Sequence, residues 1–482
     1  MRREGYAIVG GMLAATPRGA GVRLGKSAVA HPYWLAYLLA LAVAASLAMI
    51  QPGPPYLQYG VAQGGVINRV WYGNDEANHL DLVAQYANGV YPRVDTLLRP
   101  ETVVTIKSAG FEVPAFVAMP PNMSPAAERT WLQQHYSQLS YEAVQPPLFY
   151  LAAVPAWWAG QWVGGPLGSL RAVRLFNALI LALLAPLGLG LMRQLMPGKS
   201  GVEWAVVALT ALMPGYILNG SHVTNDNLAA VIGGAALLLM ARRVQQGWSR
   251  WSVFWAGLLV GLATLSKLTA AGLVIALVVA VLASRQSSTW RKRGWQLGLA
   301  GVGGLIPVLP WLLLNKLLLG DFTQQAAASL LQEKLYGESP VSLGYFLAEW
   351  VGAFASFWTG IVTVPTKPML VELGVMAGLG VFSVLGLVRL ARKGEQSERR
   401  VLLICVAAVL GQLIVTVLAA ASIQSGSFIG RYSYPALAAI LCLLAAGLWR
   451  ELPARRAKVT SVGVYAVASA FFVVVQVLGL NV

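Results

Sequence analysis

The chain has 482 residues, of which 57% are hydrophobic and 11% charged, with 16 tryptophans and a formal net charge of +16. That balance excludes an ordinary soluble core and describes a polytopic membrane protein. The positive charge does not imply nucleic acid, because Lys and Arg fall in short clusters between apolar runs, which is how topology signals are laid out. Cys405 and Cys442 lie inside apolar runs far from any Cys or His, so neither a disulfide framework nor a zinc site is supported, and both read as small buried hydrophobes.

Residues 1–32 carry Arg2, Arg3, Arg18, Arg23 and Lys26 and read as a basic cytoplasmic N-terminus. The apolar run 33–50 reads as an uncleaved first transmembrane helix, with a signal peptide as the alternative. Residues 51–171 form a large external loop, opened by Gln51-Pro52-Gly53-Pro54-Pro55, whose prolines and glycine stop the helix. Within it, Asn74-Asp75-Glu76-Ala77-Asn78-His79-Leu80-Asp81 concentrates ionisable groups where the chain otherwise avoids them. Asn74 is the expected N-cap of a helix from Asp75 to Asn88 stopped by Gly89. Asp75 and Glu76 then share a face with His79. The plain alternative is that the acids merely favour the positive helix end. Val103–Lys107 and Glu112–Ala118, flanking Ser108-Ala109-Gly110, read as a short hairpin. Pro146 through Gly164, rich in Trp and Tyr, reads as re-entrant or interfacial, since the alternation of loops fails if it crosses fully.

Residues 172–317 hold apolar runs near 172–192, 202–218, 228–244, 252–267, 268–284 and 295–317, interrupted by a polar external island at 219–227. In that island Asp226 either caps the next helix or does chemistry, and His222 reads as a loop histidine more than a metal ligand. A second external loop, 318–368, contains Asp321, an amphipathic stretch Gln324–Leu335 and the aromatic run Tyr345–Trp358, which reads as an interfacial anchor. The C-terminal region 369–482 adds runs at 369–390, 401–421, 432–449 and 460–480, for roughly eleven spans in all.

Basic clusters at Arg193/Lys199, Arg242/Arg243/Arg250, Arg285–Arg293, Arg389–Arg400 and Arg450–Lys458 mark the cytoplasmic connections. Asp75, Glu76, Glu142 and Asp226 consequently fall on the opposite face. A reaction there has no ready access to cytoplasmic nucleotide sugars or ATP, and no P-loop or dinucleotide fingerprint is present.

Asp75-Glu76, then Gln145-Pro146-Pro147-Leu148-Phe149-Tyr150, then Arg174, then Thr224-Asn225-Asp226 stand in one order along the chain. Together with Ser266-Lys267-Leu268-Thr269 and Gly430-Arg431-Tyr432-Ser433-Tyr434-Pro435, this order resembles the GT-C superfamily of polytopic glycosyltransferases. The likeness is to the protein O-mannosyltransferase and aminoarabinose transferase branch and covers most of the chain. It implies an all-α, GT-C-like polytopic fold and a polyprenyl-phosphate-linked sugar as donor. It also implies a glycan, lipid or protein acceptor, with Asp75 as the base on that acceptor and Asp226 as a second, supporting acid. A histidine usually precedes the Pro-Pro pair in that superfamily, and here the position is Gln145.

The chemistry asks for a base near the acceptor hydroxyl and positive charge near the departing phosphate. Arg431, Lys267 and Arg174 are the candidates for the phosphate, and Arg174 could equally pair with an acid such as Glu142. Arg431 could instead snorkel to headgroups, whereas Lys267, lodged between apolar runs, calls for a partner or cavity. Glu76 and His79 are supporting candidates, and Glu142, Gln145 and Tyr432 are candidates for acceptor or loop contacts. Asp75 with Glu76 could hold a divalent cation such as Mg or Mn. The expected setting is a bacterial plasma membrane, N-terminus inside and active site facing the periplasm or exterior, with no nucleic-acid partner. The competing readings are a flippase for lipid-linked sugars and a non-catalytic envelope-assembly scaffold.

Overall fold

A computed structural model of the chain describes residues 31–50, 62–63, 66–67, 75–109, 120, 122–135, 139–199, 201–284, 289–336, 343–359, 367–422 and 430–451. Helices dominate in the order α1 (His31–Ile50), α2 (Glu76–Ala87), α3 (Pro100–Ser108), α4 (Pro125–His135), α5 (Leu148–Ala182), α6 (Leu184–Leu195), α7 (Val202–Leu212), α8 (Pro214–Gly220) and α9 (Asp226–Gln246). They continue as α10 (Arg250–Ser266), α11 (Leu273–Leu282), α12 (Trp290–Leu319), α13 (Gln325–Tyr336), α14 (Leu343–Thr359), α15 (Lys367–Lys393), α16 (Gln396–Ser422) and α17 (Leu437–Glu451). Short 3₁₀ turns at Tyr141–Val144, Leu268–Gly272 and Gly430–Ala436 interrupt them. One antiparallel pair of two-residue strands, β1 (Ala62–Gln63) and β2 (Val66–Ile67), lies in the first loop.

Among the described residues seven stretches are long and apolar enough to cross a membrane: Pro32–Met49, Leu148–Leu195, Asp226–Gln246, Trp290–Leu319, Leu373–Lys393, Gln396–Leu418 and Gly430–Glu451. Val202–Leu212, Arg250–Ser266 and Leu268–Leu282 are shorter apolar helices. One break splits the run expected at 202–218, and another falls where the runs expected at 252–267 and 268–284 meet. Pro214 ends α7, because its ring clashes with the preceding turn. Lys267 adopts an extended conformation between α10 and the following 3₁₀ turn. The run expected at 460–480, the basic residues 1–30, Asn74 and the segment 112–118 lie outside the described residues.

Residues 148–163 form the first leg of a helical hairpin. Gly164 and Gly165 leave helical geometry, and Gly165 at φ 60°, ψ −148° occupies a region essentially closed to other residues. The legs meet so closely at Gly160 and Gly168 that a β-carbon on either would overlap the carbonyl of the other. Ser169 Oγ donates to Trp157 O at 3.1 Å across the same contact. The segment expected to be re-entrant therefore doubles back upon the start of the next helix. Elsewhere Gly257 and Gly261 of α10 bring its backbone against Ala300 and Gly304 of α12, the small-residue packing that membrane helices use.

Two local expectations are corrected. Val103–Lys107 is helical, not a hairpin strand. Pro100 at the start, Glu101 in the first turn and Lys107 in the last suit a helix, and burial of Thr102 and Ile106 against α2 outweighs the β-branched composition. Helix α2 begins at Glu76, so the N-cap is Asp75 itself, in a left-handed conformation (φ 63°) with no side-chain cap bond. Gly89, at φ 68°, follows the C-cap Asn88 as expected.

Candidate active site

Helix α2 is buried over most of its surface although it is polar: Glu76, Asn78, His79, Asp81 and Gln85 are all enclosed. Charged and polar groups survive such burial chiefly when partnered, and the partners of Glu76 and His79 come from distant segments.

Glu76 meets Arg174 of α5 in a two-pronged pair, Nε to Oε1 at 2.8 Å and Nη2 to Oε2 at 2.7 Å, with both side chains at most 2% exposed. Val223 N–H also donates to Oε1 at 2.8 Å. Burial alone would raise the Glu76 carboxyl, but the Arg174 guanidinium overrides it and holds the group below its usual range. Arg174 is thus paired with an acid, Glu76, where the sequence left open a phosphate contact or an acid such as Glu142.

Asp75 faces the other way. Because its backbone turns left-handed ahead of the helix, its carboxylate does not cap α2. Oδ1 accepts from Tyr141 Oη, and Oδ2 pairs with Arg431. Against partial burial, the Arg431 guanidinium and the Tyr141 hydroxyl hold the Asp75 carboxyl low. Arg431, on the 3₁₀ turn before α17, also approaches Asp226 Oδ2 with its Nε at 3.9 Å. Asp226 stands in the first turn of α9 and pairs through Oδ1 with Lys267. Lys267 Nζ lies 5.1 Å from the centre of the Tyr432 ring. A chain of alternating charge, Asp75, Arg431, Asp226 and Lys267, therefore joins four separate segments.

Around it, Gln145 Oε1 accepts from Asn225 Nδ2 at 3.1 Å, and the same amide reaches Ser266 O at 2.9 Å, which ties the Pro-Pro segment to the polar island and to the end of α10. Capping of α9 by Asn225 is absent: its side chain makes no cap bond. His79 Nδ1 lies 2.7 Å from Tyr150 Oη with the rings stacked, and burial pushes its pKa down to about 3, so it is neutral. Glu142 sits on the 3₁₀ turn beside Tyr141, with Oε2 sealed from solvent and lacking a hydrogen-bond partner. Burial and the neighbouring Asp75 charge push its carboxyl up to about 7.

Divalent-cation ligation by Asp75 with Glu76 does not fit this arrangement. The two carboxylates are turned to different cations, and among the described residues no group of three His, Cys, Asp or Glu side chains could enclose an ion. His222 is held through its backbone, its carbonyl accepting from Asn177.

Two participants were not foreseen. Tyr141 carried no signal beyond its nearness to the Pro-Pro pair. Asp81 accepts from Gln85 (2.6 Å), Arg99 N (2.7 Å), Thr102 (2.8 Å) and Ser140 (3.0 Å), and so pins the turn that carries Tyr141 to α2. Its place in the same acidic stretch was the available sign.

Residues 162–313 match the family model described as dolichyl-phosphate-mannose-protein mannosyltransferase, a stretch that includes Arg174, Asp226 and Lys267 but neither Asp75 nor Arg431. No curated protein matches the chain. The fold is similar to that of ArnT from Cupriavidus metallidurans bound to undecaprenyl phosphate, at 16% identity over 93% of this chain and 77% of that one, with a TM-score of 0.51. The apo form of the same protein gives 17% identity over the same shares, also at 0.51. An oligosaccharyltransferase from Archaeoglobus fulgidus aligns at 15% identity over 93% of this chain and 55% of that one, with a TM-score of 0.45. The chain thus has the GT-C type of fold that its ordered motifs resemble.

Proposed function

We propose that this protein is a membrane glycosyltransferase that moves a sugar from a polyprenyl-phosphate-linked donor to a hydroxyl of a lipid, glycan or protein acceptor on the non-cytoplasmic face. The observation that carries the reading is the convergence of Arg431 and Lys267 between Asp75 and Asp226. Two buried cations beside a carboxylate are what displacement of a phosphate from an anomeric carbon requires.

In this reading the donor phosphate docks against Arg431 and Lys267, the planar fork of Arg431 matching two phosphate oxygens. Docking draws both cations part-way from their carboxylates, and Asp75, relieved of Arg431, becomes more basic as the acceptor hydroxyl arrives. Asp75 takes the proton from that hydroxyl, whose oxygen attacks the anomeric carbon. Asp226 keeps Lys267 charged and in place. Tyr432 covers Lys267, and the Gln145–Asn225 bond fixes the Pro-Pro segment beside the site. The solved relative bound to undecaprenyl phosphate supports a lipid phosphate as the leaving group. The basic clusters of the sequence support a periplasmic or external site in a bacterial plasma membrane.

The test is mass-spectrometric detection of free polyprenyl phosphate after the purified protein meets a panel of polyprenyl-phosphate sugars and membrane extract. Release by the wild type and not by Asp75→Asn is the expected result. No release from any donor by a folded protein that binds donor removes the transferase reading.

A further inference from the structure

Asp75 is well built to orient a hydroxyl and poorly built to keep its proton. Both of its oxygens already accept a donor, from Tyr141 and from Arg431, and each of those bonds favours the ionised carboxylate. A second carboxylate stands beside it in the opposite condition. Glu142 follows Tyr141 directly on the 3₁₀ turn, its Oε2 is closed off from solvent, and no donor reaches that oxygen. A buried carboxylate oxygen with no hydrogen-bond donor is relieved by taking up a proton. Two carboxylates sharing one site divide their roles in this way: the one with a donor on both oxygens stays charged, and the one with an unpaired oxygen carries the proton.

We propose that Glu142 is where the acceptor's proton comes to rest: Asp75 meets the hydroxyl, and the proton passes on to Glu142 as the sugar transfers. The proposal rests on the transferase reading. In the balanced step the acceptor O–H breaks, its oxygen bonds the anomeric carbon, and the bond from that carbon to the phosphate oxygen breaks. The phosphate leaves with the electron pair, gaining one negative charge, and Glu142 goes from carboxylate to carboxylic acid. The new phosphate charge faces Arg431 and Lys267 while the neighbouring carboxylate is neutralised, so net charge in the enclosed site does not change.

The groups that face Glu142 are Asp75 at the head of α2, Arg431 on the turn before α17 and Lys267 at the end of α10, with Tyr150 and Tyr432 within its field and Gln145 hydrogen-bonded to its carboxyl. From the α13 side, Gln324 bonds Ala143 O at 3.1 Å, and the charge of Lys334 is taken up by Glu128 at 2.8 Å. Burial and then the Asp75 charge push the Glu142 carboxyl up to about 7, against the two cations and the Gln145 hydrogen bond. Glu142 acts through Asp75, so a pH profile separates its role from a merely structural one.

Polyprenyl phosphate release is measured at saturating donor from about pH 6 to pH 8.5 for the wild type, Glu142→Gln, Glu142→Asp and Asp75→Asn, with donor binding checked for each. The wild-type rate should rise with pH around 7, because Glu142 must begin the cycle deprotonated. Glu142→Gln should bind donor normally, lose about 10²-fold in rate on the plateau and show no such rise, while Glu142→Asp recovers part of both. A pH-difference infrared spectrum supplies a readout independent of turnover: a carboxylic-acid carbonyl band lost on alkalinisation in the wild type and missing in Glu142→Gln. Retention of the wild-type rate and rise by Glu142→Gln, or an unchanged infrared difference, overturns the role of Glu142 alone. A wild type that releases nothing overturns the transferase reading and this proposal with it.

Discussion

Replacing Glu76 by leucine removes the carboxylate that occupies the Arg174 fork at 2.7–2.8 Å and leaves a guanidinium only 2% exposed beside an apolar side chain. Losing one partner of a buried ion pair costs about 3–5 kcal/mol, whereas exchanging both for apolar residues of similar volume is near neutral. The Val223 N–H loses its acceptor as well, adding about 1–3 kcal/mol. Glu76→Leu should therefore be the least stable variant and Arg174→Met the next. The double variant should recover nearly everything except the Val223 contribution. Unfolding of a polytopic protein in detergent is seldom reversible, so the quantity to compare is the rank of unfolding midpoints at one scan rate. Donor binding is measured on the same samples. A structural pair lets the double variant bind donor as the wild type does, while a phosphate-binding Arg174 makes every Arg174→Met protein lose it. A double variant as unstable as the two losses added together would refute the coupling argued from this geometry.

Asp75→Asn should lower turnover about 10²–10⁴-fold with donor affinity preserved, read from product release and a binding titration. Lys267→Met removes one charged donor from the phosphate and should weaken donor binding by about 1.5–3 kcal/mol, roughly 10–100-fold, in that titration. His79 carries a pH signature. With its pKa depressed from 6.5 to about 3, the unfolded chain takes up the proton first, so stability present above 6.5 is lost as the pH falls toward 3. The loss is about 2 kcal/mol at pH 5, and His79→Gln should flatten that part of the curve of unfolding midpoint against pH. Gly257→Val should force α10 from α12, since its side chain would overlap the Ala300 carbonyl, and lower the unfolding midpoint with little change in the affinity of the folded fraction for donor.

Much of the site was legible because charge is scarce in this chain. Asp75, Asp226, Lys267 and Arg431 stood out as ionisable residues at the ends of apolar runs, where an unpartnered charge is too costly to be incidental. Their pairing was not legible. Nothing in the spacing assigns Arg174 to Glu76 and Arg431 to Asp75, because the choice depends on the left-handed turn at Asp75 that sends neighbouring carboxylates in opposite directions. The helical bundle followed from apolar runs, yet the run at 202–218 splits at Pro214, and 103–107 is a helix because partners on α2 decide it. Tyr141 and Asp81 were hidden for a related reason: a hydroxyl and a carboxylate in a loop acquire meaning only from what folds against them.

The ion-pair chain also has an order in time. Asp75 and Asp226 leave the ribosome long before Arg431, and the 205 residues that separate Asp226 from Arg431 take roughly 10–40 s to synthesise at typical rates. Lys267 follows Asp226 within a few seconds, so roughly the first half of the chain can neutralise one acid, while Asp75 must wait for the C-terminal turn. A nascent chain that stops short of Arg431 thus holds Asp75 without its arginine and, on the proposed function, lacks one of the two cations that would meet the donor phosphate. In the proposed reading, synthesis of the turn that carries Arg431 is what arms the site.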